Sequence, residues 1–196
     1  MNVYNSDVEH PVKYLNKYRI QSARLKEYDY GQNGAYFITI CTKEREGFFG
    51  EIVNGIMEVN EIGQLANKNW LDIIKSFPFV QLDEFIIMPN HIHGILMLNR
   101  EINFEEDAIN RVSTKEMDCK GGRTGKHNPM LKEDLSTIIR WYKGRTTFES
   151  RKINPLFMWQ SRFYDHIIRT EEEYKKIQFY IRTNPANWEN DSERHN

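Results

Sequence analysis

The sequence predicts an α+β fold: a ferredoxin-like antiparallel sheet with helices on both faces and an additional C-terminal helix. Three observations carry that expectation. Aromatic and β-branched runs read as strands over residues 35–43, 82–88, 91–98 and 157–168. Apolar residues recur at helical spacing over 61–76, through Ile62, Leu65, Ala66, Trp70, Ile73 and Ile74. They recur again from 130 to about 152, through Leu131, Leu135, Ile138, Ile139 and Tyr142, with Phe148 also expected inward. The order strand, helix, strand, strand, helix, strand is the ferredoxin-like one, and one more helix follows it.

The elements divide the chain into an N-terminal arm (1–34), a catalytic-type domain (35–190) and a short tail (191–196). The arm is polar, with basic residues at Lys17, Arg19, Arg24 and Lys26, and it ends at the turn-prone Gly31-Gln32-Asn33-Gly34. After the first strand, residues 48–59 read as a hairpin turning at Asn54-Gly55. The runs FIIM and GILML are apolar on both faces, which predicts central strands covered on both sides. Residues 99–128 are charged and aperiodic and read as a long mobile loop. The last helix is expected to start at Thr170, a capping residue followed by Glu171, Glu172 and Glu173. It should end near Asn184, because Pro185 disfavours helical geometry in the residue before it.

Composition bounds the function classes. The 196 residues, 39% hydrophobic and 13% aromatic, suffice for one domain with a sizeable core. No apolar run approaches the roughly 20 residues that span a bilayer. The polar start MNVYNSDVEH lacks a signal-peptide layout, so a cytoplasmic location is expected. Two cysteines, Cys41 and Cys119, make neither a disulfide framework nor a zinc motif. The formal net charge of -1 does not announce nucleic acid, but the charges are segregated. Between Arg140 and Arg169 the bases Arg140, Lys143, Arg145, Arg151, Lys152, Arg162 and Arg169 face only Glu149 and Asp165. A local basic surface of this kind suits a phosphate backbone, as it would a solvated helix face.

The chemistry centres on His91 and His93. On a strand, residues i and i+2 share a face, so two imidazoles could approach one metal ion from a rigid platform. Burying both otherwise costs desolvation without packing as well as Val or Ile. His91 follows the turn directly, where it is expected to stay accessible. On the last helix Tyr180 and Asn184 lie four apart on one face, beside the core stripe Tyr174, Ile177 and Ile181. Spacing alone does not choose Tyr180 over Tyr174.

The run MPNHIHGIL resembles the histidine-hydrophobic-histidine motif of the HUH superfamily. WQSRFYDHIIRT followed by YIRTNP resembles the REP-associated tyrosine transposases, a branch of the single-tyrosine HUH transposases. RLKEYDY, AYFITICT and FGEIVNG resemble the same branch. The likeness runs from about Ala23 to Trp188, interrupted by the loop 99–128. It implies that His91 and His93 are metal ligands, that Asn184 offers a third, oxygen ligand, and that Tyr180 on the extra helix is the nucleophile. The implied cofactor is a divalent metal, Mg2+ or Mn2+. The implied activity is cleavage and transfer of single-stranded DNA through a 5′-phosphotyrosine link, at hairpin-forming repeats. The partner is then single-stranded or hairpin DNA and the protein a monomer or homodimer.

Rings interleaved with cations suit single strands, since bases stack while cations hold phosphates. The candidate contacts are Arg24, Lys26, Arg140, Lys143, Arg145, Trp159, Arg162, Tyr164 and Arg169, with at least half of the nearby aromatics expected in the core. Three other readings remain at this point. One is a domesticated protein that binds hairpin DNA or RNA without transposition. The second is a ferredoxin-like RNA-binding module with incidental histidines. The third is a small zinc hydrolase, against which the lack of a third nearby His or Cys ligand weighs.

Overall fold

The computed structural model describes residues 13–14, 17–18, 28–100, 134–191 and 193–194. Arg24, Lys26 and most of the loop 99–128 lie outside the described residues. Within the arm, two short strands, β1 (Lys13–Tyr14) and β2 (Lys17–Tyr18), pair antiparallel.

The central sheet has four strands: β3 (Gly34–Cys41), β6 (Val80–Ile87), β7 (His91–Leu98) and β8 (Tyr164–Ile168). Their spatial order is β6-β7-β3-β8, all antiparallel. Numbered along the chain this is 2-3-1-4, the ferredoxin-like arrangement. β7 and β3 are central, as their two-sided apolar character requires. β6, whose FIIM run predicts a central strand, is instead an edge strand, and it is apolar on both faces because α1 (Glu61–Leu71) and α2 (Ile73–Ser76) cover one face and α4 (Glu171–Thr183) the other.

Alternation along β3 and β7 builds two cores. Tyr36, Ile38 and Ile40 with Ile92, Leu96 and Leu98 face α1 (Glu61–Leu71) and α3 (Leu135–Ser150), packing on Trp70, Ile138, Ile139 and Tyr142. Burying each such side chain contributes about 1.5–3 kcal/mol. The opposite face carries a smaller core of Ile95, Ile168 and Ile181, with Phe37, Met97, Tyr174 and Ile177 packed on it. That face is covered by α4 (Glu171–Thr183), the extra helix. Its start is as expected: the Thr170 side chain accepts from Glu173 N–H, and three acids occupy the first turn.

Gly94 sits where β7 passes under Trp70. A Cβ there would lie 2.4 Å from Trp70 Cζ2, so only glycine lets the buried indole lie against the strand. The hairpin of β4 (Gly50–Val53) and β5 (Ile56–Val59) turns at Asn54 (φ 52°) and Gly55 (φ 76°), the left-handed pair of a tight two-residue turn.

Three further expectations change. The helix expected over 61–76 is two, α1 and α2 (Ile73–Ser76), parted at Asp72, whose carboxylate is held by Lys75 (2.6 Å) and Arg145 (3.3 Å). The strand expected over 157–168 begins only at Tyr164. Residues 157–163 instead form a strap, because their backbone is engaged at the end of β3: Lys43 N–H donates to Met158 O and Gln160 N–H to Cys41 O (both 2.9 Å). Phe148, expected inward, is exposed, since the buried stripe of α3 runs through Tyr142, Thr146 and Ser150 instead.

Candidate active site

His91 and His93 share a face of β7, the face turned towards α4, as strand alternation requires. Both are buried. His91 was expected to stay accessible after its turn. It is fully covered instead, because the chain beyond α4 folds back over it and brings Trp188 within 6.0 Å of its ring and Asp191 beside its Nε2.

Each imidazole is oriented from behind. Asn90 Nδ2 donates to the carbonyls of Arg45 (3.1 Å), Glu193 (3.0 Å) and Arg194 (3.4 Å). Those three acceptors fix which way the amide points, so Asn90 Oδ1 faces His91 Nδ1 at 2.8 Å. An amide oxygen only accepts, so His91 Nδ1 carries the proton and Nε2 presents its lone pair inward. Thr39 Oγ1 lies 2.9 Å from His93 Nδ1 across the β3–β7 ladder and leaves His93 Nε2 facing Tyr180. Burial holds both imidazoles neutral. It pushes His91 down to about 3, with the Arg45 charge adding to the effect. It carries His93 well below the ordinary value, the neighbouring His91 reinforcing it. Neutral imidazole is the form that binds metal.

Tyr180 arrives from α4. The helix is anchored to β6 at the register shift between Leu82 and Phe85. There Asp83 accepts from Tyr174 Oη and from Gln178 Nε2 (2.7 Å), and Glu84 from Arg182 (2.5 Å). These bonds set the rotation of the helix. Tyr180 Oη then lies 3.1 Å from His93 Nε2, with its ring against Phe37 and His93. The residue is 41% exposed, so its hydroxyl stands between a buried site and solvent. Burial and the Asp191 carboxylate push its phenol up to about 12, while a side-chain hydrogen bond with Asn184 acts the other way.

One turn beyond, Asn184 is buried at the end of the helix. His91 Nε2, Asn184 Oδ1 and Asp191 Oδ2 are buried without a hydrogen-bond partner among the described residues. Buried polar atoms without partners cost about 1–3 kcal/mol each, more when charged. His91 Nε2 and Asp191 Oδ2 face each other, and Asn184 is tied to the same site by its side-chain hydrogen bond with Tyr180. One donor atom from each of His91, His93 and Asp191 falls within 4.8 Å of the others, and His91 Nε2 is 3.7 Å from Asp191 Oδ2. Ligand bonds of roughly 2.1 Å put neighbouring donors about 3.0–4.2 Å apart, so the group suits a divalent cation after a small contraction.

The structure gathers His91, His93, Tyr180 and Asn184 in one place. The other candidates lie elsewhere and differ in availability. Tyr164 is exposed and pairs with Thr39 across β3, level with His93. Arg140, Arg162 and Arg169 are also exposed. Lys143 Nζ donates to Gln160 O (2.6 Å) and Arg162 O (3.3 Å), holding the strap, and burial pulls it down to about 8. Arg145 is engaged by Asp72 and Glu149 and lies over Trp141. Trp159, Trp141 and Phe163 pack against the main core, as expected for at least half of these aromatics. Between α3 and the strap runs a groove of about 960 Å3, with Arg140, Lys143, Arg151 and Lys152 along it and no acidic residue among the described residues that line it.

Residues that sequence reasoning passed over are Thr39, Asn90, Arg45 and Asp191. Asp191 was assigned to the tail. Nothing in the local pattern marks it, because only the fold returns it to the histidines.

The antiparallel ferredoxin-like sheet with its covering helices has a counterpart among solved structures. The REP-associated tyrosine transposase bound to a REP hairpin aligns with TM-score 0.53 and 20% identity, covering 86% of this chain and 74% of that one. The fold is therefore that of a REP-associated tyrosine transposase, as the motifs implied. No protein-family model matches the chain. An uncharacterized protein of Haemophilus influenzae is 35% identical over 189 residues, covering 96% of this chain and 95% of its own length. The chain belongs to the same family as that protein. Among the described residues no helix is long and apolar enough to cross a membrane.

Proposed function

We propose that this protein is a divalent-metal-dependent endonuclease and strand transferase of single-stranded DNA, with Tyr180 as nucleophile. The observation that carries the reading is the placement of Tyr180 Oη 3.1 Å from His93 Nε2, beside a cluster of unpaired buried donors. His91, His93 and Asn184 would hold Mg2+ or Mn2+, which when bound neutralises phosphate charge and aligns the scissile bond.

The chain's own groups account for the rest. Asn90 keeps the Nε2 lone pair of His91 turned inward, and Thr39 holds the His93 ring with Nε2 facing Tyr180. Tyr180 Oη attacks phosphorus and the P–O3′ bond breaks, giving a 5′-phosphotyrosine and a 3′-hydroxyl. The phenol proton ends on the leaving 3′-oxygen, so the exchange needs no net acid or base. The phosphodiester count is conserved, and a later 3′-hydroxyl can reverse the step and join strands. Because Tyr180 is half-exposed, a flexible backbone can reach it in line, which single strands and hairpin feet permit better than duplex.

The groove between α3 and the strap is the proposed track for the strand. Its cations meet phosphates, and the exposed Tyr164, level with His93, offers a ring for a base. The solved relative's hairpin makes hairpin-bearing repeat DNA the first substrate to try. The test is incubation with hairpin-bearing single-stranded DNA and Mn2+, followed by a denaturing gel. Wild type should form a covalent adduct, and Tyr180→Phe and His91→Ala none. An adduct surviving Tyr180→Phe refutes the nucleophile. Hairpin binding without any adduct favours a binding protein that has no strand-transfer activity.

A further inference from the structure

We propose that Asp191 is the anionic ligand of this metal site, and that Asn90 and the Arg45–Glu193 ion pair are positioning residues that dock it there. The inference rests on the reading of His91 and His93 as ligands and extends it to a part of the chain the motifs do not reach.

Asp191 follows the turn of 3-10 helix Pro185–Asn190, and its side chain is only 1% exposed. A carboxylate so deeply buried needs a compensating charge. Among the described residues none satisfies Oδ2: His91 Nε2 stands 3.7 Å away, too far for a hydrogen bond, and both atoms are left unpaired there. Two unpaired acceptor atoms facing each other repel in the absence of a proton or cation. A divalent cation between them satisfies both, and it would meet a negative ligand where His91, His93 and Asn184 offer only neutral ones.

The segment that carries Asp191 is tied to the rear of the same site. Arg45 pairs with Glu193. Asn90 Nδ2 takes the Glu193 and Arg194 carbonyls, while Asn90 Oδ1 orients His91. Asn90 therefore links the orientation of one ligand to the docking of another. Metal binding and docking of Asp191, Glu193 and Arg194 are then thermodynamically coupled, each favouring the other.

The experiment uses the full chain stripped with EDTA and titrated with Mn2+, followed by calorimetry and by the Mn2+ electron paramagnetic resonance signal. Neither readout depends on DNA cleavage. Wild type should bind one ion and His91→Ala none. Asp191→Asn should bind at least tenfold more weakly, with an apo melting temperature showing that it folds. Glu193→Gln, which breaks the pair with Arg45, should weaken binding several-fold in the Asp191 background and clearly less in the Asp191→Asn background. Asp191→Asn binding within twofold of wild type overturns the ligand assignment. Equal effects of Glu193→Gln in both backgrounds overturn the docking role. If His91→Ala also binds like wild type, the reading of the histidines fails instead.

Discussion

Thr39→Val tests whether His93, a proposed metal ligand, is held from behind. Valine is nearly isosteric and suits β3, so the change removes one hydroxyl and little else. Thr39 and His93 are both buried, and Thr39 Oγ1 to His93 Nδ1 is 2.9 Å. The variant strands Nδ1 without a partner at about 1–3 kcal/mol. For a chain of this length each kcal/mol moves the melting temperature about 2–4 °C, so the apo protein should melt roughly 2–12 °C lower. The imidazole also loses the contact that orients its ring. Removing such partners typically costs about 10–100-fold in metal affinity, and a neutral hydroxyl belongs at the lower end, about tenfold. The assay is Mn2+ titration of Thr39→Val beside Thr39→Ser, which keeps the hydroxyl and should bind as wild type. Wild-type affinity in Thr39→Val, with an unchanged melting temperature, would refute the reasoning.

Three further outcomes follow from the same structure. Gly94→Ala drives a Cβ into Trp70 and should cost about 1–3 kcal/mol in urea unfolding. Trp70→Phe should recover part of that loss in the double variant, whereas strict additivity would contradict the packing account. Burial holds His91 and His93 neutral when folded, so below pH 6.5 the unfolded chain binds more protons, down to about 3 for His91. Apo stability should therefore be full above pH 6.5 and fall as pH drops, by about 1.4 kcal/mol per pH unit for each histidine. Urea unfolding at pH 7 and pH 5 decides this, and a histidine pair that added no pH dependence, judged against His91→Ala, would contradict it. Arg162→Ala should weaken single-stranded DNA binding and lower the slope of log affinity against log salt by about 0.7 if the arginine meets one phosphate. An unchanged slope would remove Arg162 from the proposed DNA contacts.

What the sequence disclosed and what it hid follow from the range of each interaction. The β7 alternation placed His91 and His93 on one face, because that depends only on neighbours two residues apart. Helix spacing likewise put Tyr180 and Asn184 together, and Thr170 with its three acids marked the start of α4. It did not rotate α4, which is set by Asp83 and Glu84 across the sheet. It could not distinguish Tyr180 from Tyr174 without the family resemblance. The fold separates them: Tyr174 bonds Asp83 on β6, and Tyr180 meets His93. Asn90, Arg45 and Asp191 were invisible because their roles exist only when residues about 45 and 100 positions apart meet.

The central claim is that Tyr180 becomes covalently joined to a DNA 5′-phosphate. The most direct measurement is peptide mapping by mass spectrometry of wild-type protein after reaction with hairpin-bearing single-stranded DNA and Mn2+ and nuclease trimming. The account predicts a nucleotide mass on the peptide containing Tyr180, absent when EDTA is present. The same mass on another tyrosine, or formed equally in EDTA, would contradict it.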